Sequence, residues 1–293
     1  MGVMEGKRGL VMGVANRNSI AHGCAQALVG AGAEIAISYQ GDAFGKRVRP
    51  LADALGIDFL VDCDVEDEAS VDAAFAAIEE RWGTLDFVLH AIAFSDKEEL
   101  KGRYADTSRA NFVKTMLISC FSFTEIAKRA ARLMPPVAED GTGGGAMATL
   151  TYGGSTRVMP NYNVMGVAKA ALESSVRYLA SDFGPHGVRV NSISPGAVRT
   201  LAGAGIADAR AMMGYQRRNA PMRRTVTTDE VGQTAVFLLS DMGRAVTGEN
   251  IHVDAGFHSV QMPTLEELAA RAAAGGAEKT DTETDVAAAT GRD

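Results

Sequence analysis

The sequence predicts an α/β protein whose core is a doubly wound parallel sheet of about seven strands, with helices on both faces. Short apolar runs rich in valine, isoleucine and leucine recur along the chain, and longer amphipathic stretches separate them. Several of these stretches end at a glycine, as helices commonly do. Strands that are apolar throughout and are joined by helices form parallel sheets covered on both sides.

The predicted strands are the apolar runs at residues 8–14, 34–40, 58–63, 85–93, 146–152, 188–194 and 250–255. Amphipathic stretches such as SIAHGCAQALVGAG and EASVDAAFAAIEERWG are the helices between them. A long helical pattern begins at Pro160 and stops at Gly184. The polar segment 135–145, rich in proline and glycine, is predicted to be a surface turn before the fifth strand.

The domain prediction is a single unit over residues 1–263. Residues 264–293 begin as a possible short helix and then lack large apolar side chains. A segment of that composition cannot bury enough apolar surface to order itself. We therefore expect residues 264–293 to be a flexible C-terminal tail.

Composition excludes several classes of protein. The net charge of −7 argues against a nucleic-acid partner, which would require a basic excess. No apolar run reaches the ~18 residues that a membrane span needs, and the first residues lack a signal-peptide pattern. The three cysteines and five histidines are scattered without CxxC or HxxxH spacing. We expect a cytoplasmic protein with reduced thiols and no metal site.

The turn after the first strand, GVANRNSIA at residues 13–21, is a candidate nucleotide site. Gly13 allows the backbone to approach a pyrophosphate, and the helix that follows offers free N–H groups to its charge. The G-x-G-x-x-G motif is absent, so this turn alone leaves an ordinary strand–helix turn equally open.

Three further strand ends favour a dinucleotide. Gln40 ends the second strand, where such folds contact the adenosine ribose, and no cation stands there to accept a 2′-phosphate. This favours NADH over NADPH. Asp64 and Val65 end the third strand, and the small residues of HAIA end the fourth. Each could be a plain turn, but all four are predicted to meet at one edge of the sheet.

Tyr162 and Lys169 are the candidate catalytic pair. Their spacing of seven residues on one helix would place them on the same side, about 10 Å apart along the axis. That arrangement suits two side chains that bind different parts of one ligand, the phenol at a reacting oxygen and the ammonium at ribose hydroxyls. A lysine cation nearby is expected to lower the pKa of the phenol.

These residues carry a resemblance to a known family. The Y-x6-K run YNVMGVAK, the turn GVANRNSIA, Tyr152 ten residues before Tyr162, and VRVNSISPGAVRTLAGAGI together resemble the bacterial NADH-dependent enoyl-acyl-carrier-protein reductases. These belong to the short-chain dehydrogenase/reductase superfamily, which has a Rossmann-type fold. The similarity covers residues 1 to about 262. Thr149 stands where most of the superfamily has a catalytic serine.

The resemblance implies hydride transfer from NADH to the β-carbon of a trans-2-enoyl thioester in fatty-acid elongation. Tyr162 would hydrogen-bond the enolate oxygen, Lys169 would hold the nicotinamide ribose, and Tyr152 would lie against the substrate. Ser95 would contact the substrate as well. By position, the implied cofactor contacts are Gly13, Ser19, Ile20, Gln40, Asp64, Val65, Ile92, Lys169, Val198, Arg199, Thr200, Leu201 and Ala202, with Thr200 at the pyrophosphate.

The resemblance also implies a substrate lid near residues 200–220, a homotetramer, and an acyl-carrier protein that delivers the substrate. Residues 210–224 carry five arginines and no acid, so they either form a dock for that acidic carrier or a solvated helix face. Gly166 and Ala170 would let a second subunit pack closely on the helix of Tyr162, although internal packing would explain them equally well.

Three alternatives stay open at this point. A reductase of 3-oxoacyl thioesters could use Thr149 in place of the usual serine. A dinucleotide sensor without catalysis would be expected to have lost the tyrosine or the lysine, and this chain keeps both. A paralogue with the same chemistry could act on an unusual acyl chain.

Overall fold

A computed structural model describes residues 2–138, 143–198 and 209–275 of the chain. Its centre is a parallel sheet of seven strands in the order β3-β2-β1-β4-β5-β6-β7. The strands are β1 Arg8–Met12, β2 Glu34–Tyr39, β3 Phe59–Asp62, β4 Phe87–His90, β5 Gly145–Leu150, β6 Val188–Pro195 and β7 Asn250–Val253. The prediction of a doubly wound sheet with these strands is confirmed.

Helices cover both faces of the sheet. They are α1 Ile20–Gly30, α2 Gly41–Asp53, α3 Glu68–Trp82, α4 Arg109–Met116, α5 Ser122–Leu133, α6 Asn163–Phe183, α7 Ala209–Asn219, α8 Thr228–Leu239 and α9 Leu265–Gly275. One π-helical turn, Leu117–Phe121, joins α4 to α5 without a break. Helix α3 shows how local sequence sets such boundaries, since the Asp67 side chain caps its first turn and Gly83 ends it with a φ of 71°.

Two apolar layers sandwich the sheet. On one side Leu28 of α1 and Val231 of α8 lie in the same buried cluster, and α1 approaches α8 so closely that a Cβ at Gly23 would lie 2.5 Å from Thr228. On the other side α3, α5 and α6 contribute side chains such as Ile78 and Val176 to a second cluster. Burial on both faces explains why the strands are apolar throughout.

The long helix differs from its prediction at its first turn. It begins at Asn163 rather than Pro160, and Tyr162 is the residue before it, with φ −130° and ψ 16°. Tyr162 therefore does not lie two turns before Lys169 on a common helix. Its end at Phe183, before Gly184, is as predicted.

The possible short helix at the start of the C-terminal segment is present over residues 265–275, which form α9. Its Glu267 carboxylate pairs with Arg218 and accepts a hydrogen bond from Asn219 of α7. These polar contacts, with residues about 50 positions earlier in the chain, supply order that apolar composition alone does not predict. Residues 276–293 lie outside the described part of the chain, and the single-domain boundary stays a prediction.

Over the described ranges, none of the helices combines the length and apolar character required to cross a membrane. The same ranges contain no group of three or more histidine, cysteine or acidic side chains placed to hold a metal ion. Cys24, Cys63 and Cys120 are all buried free thiols.

Candidate active site

Two tyrosines pack against each other beyond the carboxyl end of β5. The rings of Tyr152 and Tyr162 meet edge to face, with centroids 5.1 Å apart and planes at 68°. Leu100 and Met165 bury Tyr162 in the same small apolar cluster. An aromatic pair in this arrangement holds both rings in place while the hydroxyl groups stay available as donors.

Burial sets the protonation state of both phenols. It raises the pKa of Tyr162 well above the ordinary value for tyrosine, and the nearby Tyr152 adds to the shift. Burial raises the pKa of Tyr152 in the same direction. The expectation that a lysine cation lowers the pKa of Tyr162 is wrong, because desolvation of the phenolate dominates. Tyr162 is therefore a protonated hydrogen-bond donor throughout the neutral range.

Lys169 is a buried cation on the second turn of α6. Its side chain is 5% exposed, and its Nζ donates a hydrogen bond to the Leu150 carbonyl at 2.7 Å. Burial lowers the pKa of Lys169 to about 8, against smaller opposing contributions from Cys120 and Glu173. A buried ammonium with two further N–H donors can bind hydroxyl groups of a ligand.

Thr149, the candidate substitute for the superfamily serine, is fully buried between β4 and β5. Its hydroxyl lies 3.1 Å from Nδ1 of His90, and the other ring nitrogen lies 3.0 Å from the Ser122 hydroxyl. Burial, and then the charge of Lys169, lowers the pKa of His90 to about 3. His90 is thus a neutral ring that engages the Thr149 hydroxyl inside the protein.

The turn after β1 has the geometry of a phosphate cradle. Gly13 has a φ of 96°, and a Cβ there would lie 2.2 Å from the Ala91 carbonyl oxygen, so only glycine fits. The Ser19 hydroxyl accepts from the N–H groups of Ala15 and Asn16 and does not cap α1. The first-turn N–H groups of α1, including that of Ile20, are therefore left without a side-chain cap and suit a pyrophosphate.

The other predicted cofactor residues on β2, β3 and β4 meet at the same edge. Gln40 is exposed and precedes α2, and Val65 is buried after β3. The Asp64 carboxylate accepts from the N–H of Glu66 and leaves further acceptor capacity. Ile92 is half-buried after β4. This parallel sheet therefore collects at one edge the residues that the sequence only suggested separately.

Ser95 is brought to the site but is engaged internally. Thr115 donates to its hydroxyl at 3.0 Å, and the Asn111 amide donates to it at 3.2 Å. Ser119 then holds the neighbouring Phe94 by both backbone groups, each at 2.9 Å. The sequence analysis missed these hydrogen bonds. The pattern that could have predicted them is a polar residue at every fourth position, 111, 115 and 119, along α4 and the π-helical turn.

Some predicted residues stand apart from this constellation. Val198 is half-buried and packs with the cluster of Ala220 and Val226. The other predicted contacts of that segment lie outside the described residues: Arg199, Thr200, Leu201 and Ala202. Gly166 is explained by internal packing, since a Cβ there would lie 2.7 Å from the Gly154 carbonyl oxygen.

The fold and site together define the class of protein. A parallel seven-stranded sheet, a glycine turn after β1, and a tyrosine followed seven residues later by a buried lysine are the features of a short-chain dehydrogenase/reductase. A family model described as enoyl-(acyl carrier protein) reductase matches residues 13–258. The chain belongs to the enoyl-acyl-carrier-protein reductase family.

Individual relatives agree. The chain is 66% identical over 267 residues to enoyl-acyl-carrier-protein reductase (NADH) 2 of Rhizobium meliloti, covering 91% of this chain and 97% of that protein. The crystal structure of FabI from Candidatus Liberibacter asiaticus matches with TM-score 0.86 and 55% identity, covering 90% of this chain and 100% of that one. The reductase of Anaplasma phagocytophilum, solved with NAD, matches with TM-score 0.85 and 50% identity, covering 90% and 96%. The predictions of family, fold and NADH-dependent enoyl reduction are confirmed.

Proposed function

We propose that the chain reduces trans-2-enoyl thioesters, carried by acyl-carrier protein, in cytoplasmic fatty-acid elongation, with Tyr152, Tyr162 and Lys169 as its catalytic residues. The observation that carries this assignment is that an edge-to-face tyrosine pair follows β5 and that the buried Lys169 donates to the Leu150 carbonyl at the end of the same strand. A phenol and an ammonium at that edge of the sheet suit a reaction that places negative charge on a substrate oxygen.

Tyr162 donates its hydroxyl hydrogen bond to the thioester oxygen. The hydride that adds to the β-carbon comes from NADH, and the electrons of the double bond move onto this oxygen as an enolate. Because its pKa is raised, Tyr162 keeps its proton and stabilises the enolate as a donor. Tyr152 lies against the substrate on the other side of the ring pair, where it orders the approach of the proton, ultimately from water, that the α-carbon receives.

Lys169 binds the ribose hydroxyls beside the nicotinamide. Its ammonium already has one fixed acceptor, the Leu150 carbonyl, which aims the other two N–H donors. The nucleotide residues Gly13, Ser19, Ile20, Gln40, Asp64, Val65 and Ile92, with Val198 and the four residues after it, complete the NADH site. The positive φ of Gly13 and the uncapped start of α1 support the pyrophosphate end of this assignment.

Specific observations disfavour the two rival functions. A 3-oxoacyl reductase would need the Thr149 hydroxyl at its substrate oxygen, but His90 engages that hydroxyl within the sheet. A sensor without catalysis would have no use for a pair of phenols in contact after β5, and this chain keeps both Tyr152 and Tyr162.

The test follows NADH absorbance with a trans-2-enoyl thioester, using NADPH and a 3-oxoacyl thioester in parallel. We expect NADH oxidation on the enoyl substrate alone, with kcat lower by about 10²–10³ in Tyr162→Phe, as for loss of an oxyanion donor. Tyr178→Phe is the control, since Tyr178 is 73% exposed on α6 and phenylalanine keeps its apolar ring. Turnover of the 3-oxoacyl substrate alone would contradict the proposal, and NADH binding without turnover would favour the sensor.

For the carrier protein, we test docking at Arg217, one of the five arginines of residues 210–224. Arg218 pairs with Glu267 and Arg224 with Glu230, whereas Arg217 is exposed on α7. Arg217→Glu should raise KM for carrier-linked substrates and leave KM for coenzyme A thioesters unchanged. Arg244→Glu is the control, because Arg244 lies outside residues 210–224. It is near Asp241, which pairs with Lys7 before β1. Equal effects on both substrate types would count against docking at Arg217.

A further inference from the structure

Gln216 is a buried amide that the proposed mechanism does not use. It lies on α7, the helix that follows the lid region, and is 3% exposed. A buried amide is costly unless its oxygen and nitrogen both find partners. Here both partners are main-chain groups at the carboxyl ends of two neighbouring strands.

The amide bridges the exits of β6 and β7. The Ala197 N–H, just after β6, donates to Gln216 Oε1 at 2.6 Å. Gln216 Nε2 in turn donates to the Asp254 carbonyl, just after β7, at 3.3 Å. The last backbone bond between these two exits runs from the Gly196 N–H to the Val253 carbonyl at 2.8 Å. The side chain therefore adds one more rung where the strands can no longer pair directly.

The absence of a side chain at Gly196 leaves room for this bridge. A Cβ at Gly196 would lie 2.1 Å from Gln216 Nε2 and 3.0 Å from the Asp254 Cα. The φ of Gly196 does not itself require glycine, so the close approach of the amide is the physical reason for the missing side chain. The bridge also borders the site, because Gly196, Gln216 and Asp254 line a cleft together with Tyr152.

We propose that Gln216 is a positioning residue for the cofactor side of the site. By holding the N–H of Ala197, it orients the chain that leaves β6 towards Val198, the first of the predicted contacts in that segment. Because Gln216 lies on α7, the placement of the segment after β6 depends on the position of this helix. The inference rests on the proposed function, since the orientation of Val198 matters to NADH only if that segment contacts it.

The test compares Gln216→Leu and Gln216→Glu with the exposed control Gln233→Leu on α8. NADH affinity is measured by fluorescence titration of the protein without substrate, beside thermal unfolding and steady-state kinetics. Leucine removes both hydrogen bonds, so we expect Kd and KM for NADH to rise about tenfold, the equivalent of about one hydrogen bond. At saturating NADH, kcat should stay within about twofold of the wild type. Glutamate keeps the acceptor for Ala197 but offers no donor to Asp254, so its effect should be smaller.

A purely structural role for Gln216 would lower the unfolding temperature and leave Kd for NADH unchanged, and that result would overturn the inference. If Gln216→Leu fails to fold, Gln216→Glu and Gly196→Ala decide the question by the same titration, since the added methyl displaces the amide. Failure of the proposed function is distinguishable, because the wild type itself would then not turn over the enoyl substrate.

Discussion

Burial shifts the pKa values of the two proposed catalytic groups in opposite directions. In Tyr162 it stabilises the neutral phenol and raises its pKa, whereas in Lys169 it destabilises the ammonium and lowers its pKa to about 8. Both shifts move the groups towards their neutral forms. The phenol thereby stays a donor at every physiological pH, and the lysine lies within reach of titration just above neutrality.

The burial of Lys169 should cost stability in a way that depends on pH. Its pKa falls from 10.5 to about 8, which corresponds to about 3 kcal/mol. The folded pKa is the lower one, so the unfolded chain binds more protons between these values and stability rises with pH there. Below pH 8 the full cost is present.

Lys169→Met should therefore raise the unfolding temperature at pH 7. After allowing about 1 kcal/mol for the Leu150 carbonyl left without its donor, we expect a net gain of about 2 kcal/mol, or several degrees for a domain of this size. Thermal unfolding at pH 7 and pH 10 measures the difference in unfolding temperature between the variant and the wild type, with Lys128→Met at an exposed position as control. This difference should be smaller at pH 10, and an equal difference at both pH values would contradict this account.

Gly13 and Gly30 are a matched pair of glycines that bracket α1. Gly13→Ala forces a Cβ against the Ala91 carbonyl at a φ of 96°, so we expect a loss of about 2 kcal/mol or more and weaker NADH binding. Gly30 has no neighbour within 4 Å, so Gly30→Ala should be neutral or stabilise by up to about 1 kcal/mol. Denaturant unfolding and NADH titration measure both, and equal effects would show that Gly13 has no special role.

At the scale of elements, α7 is held by the sheet and by α9. Gln216 ties it to β6 and β7, while Asn219 on its last turn accepts from the Thr264 N–H and donates to Glu267 of α9. Tyr215 adds an edge-to-face contact with Phe257, with ring centroids 6.0 Å apart. The helix after the lid region is thus anchored by α9 as well as by the sheet.

Loss of one anchor should loosen α9 selectively. Glu267→Ala removes the partner of Asn219 and Arg218, so amide hydrogen exchange over residues 265–275 should become about tenfold faster, equivalent to one hydrogen bond to a charged group. Glu266→Ala, at the exposed neighbouring position, should change it little. Mass spectrometry of peptides from this region measures the exchange rate in both variants. Equal exchange rates in the two would show that Glu267 does not anchor the helix.

At the scale of the whole molecule, one side presents large apolar groups to solvent. Val167 and Tyr178, about three turns apart on α6, share a face and are 37% and 73% exposed. Phe112 and Phe121, from the neighbouring α4 segment, are 36% and 50% exposed. Exposed apolar groups gathered on adjacent helices suit contact with a second copy of the chain, in keeping with the homotetramer that the resemblance implies.

Charged groups on this face should reduce the assembly. We expect Val167→Asp combined with Tyr178→Glu to give a smaller species than the wild type by analytical ultracentrifugation, because two desolvated carboxylates disfavour the interface. Met242→Asp, 62% exposed in the turn after α8, is the control. A variant with the mass of the wild type would exclude α6 from the interface.

Local patterns in the sequence determined much of this protein. The apolar runs predicted all seven strands, the turn at Gly13 suggested a phosphate cradle, and the run from Tyr162 to Lys169 indicated the family, because strand pattern, turn chemistry and motif spacing are properties of contiguous residues. Only the tertiary structure decided that Tyr162 precedes α6, that its pKa rises, that His90 engages Thr149, and that Gln216 bridges two strand ends. Each of these depends on burial or on a partner distant in the chain, and one-dimensional spacing carries no information about either.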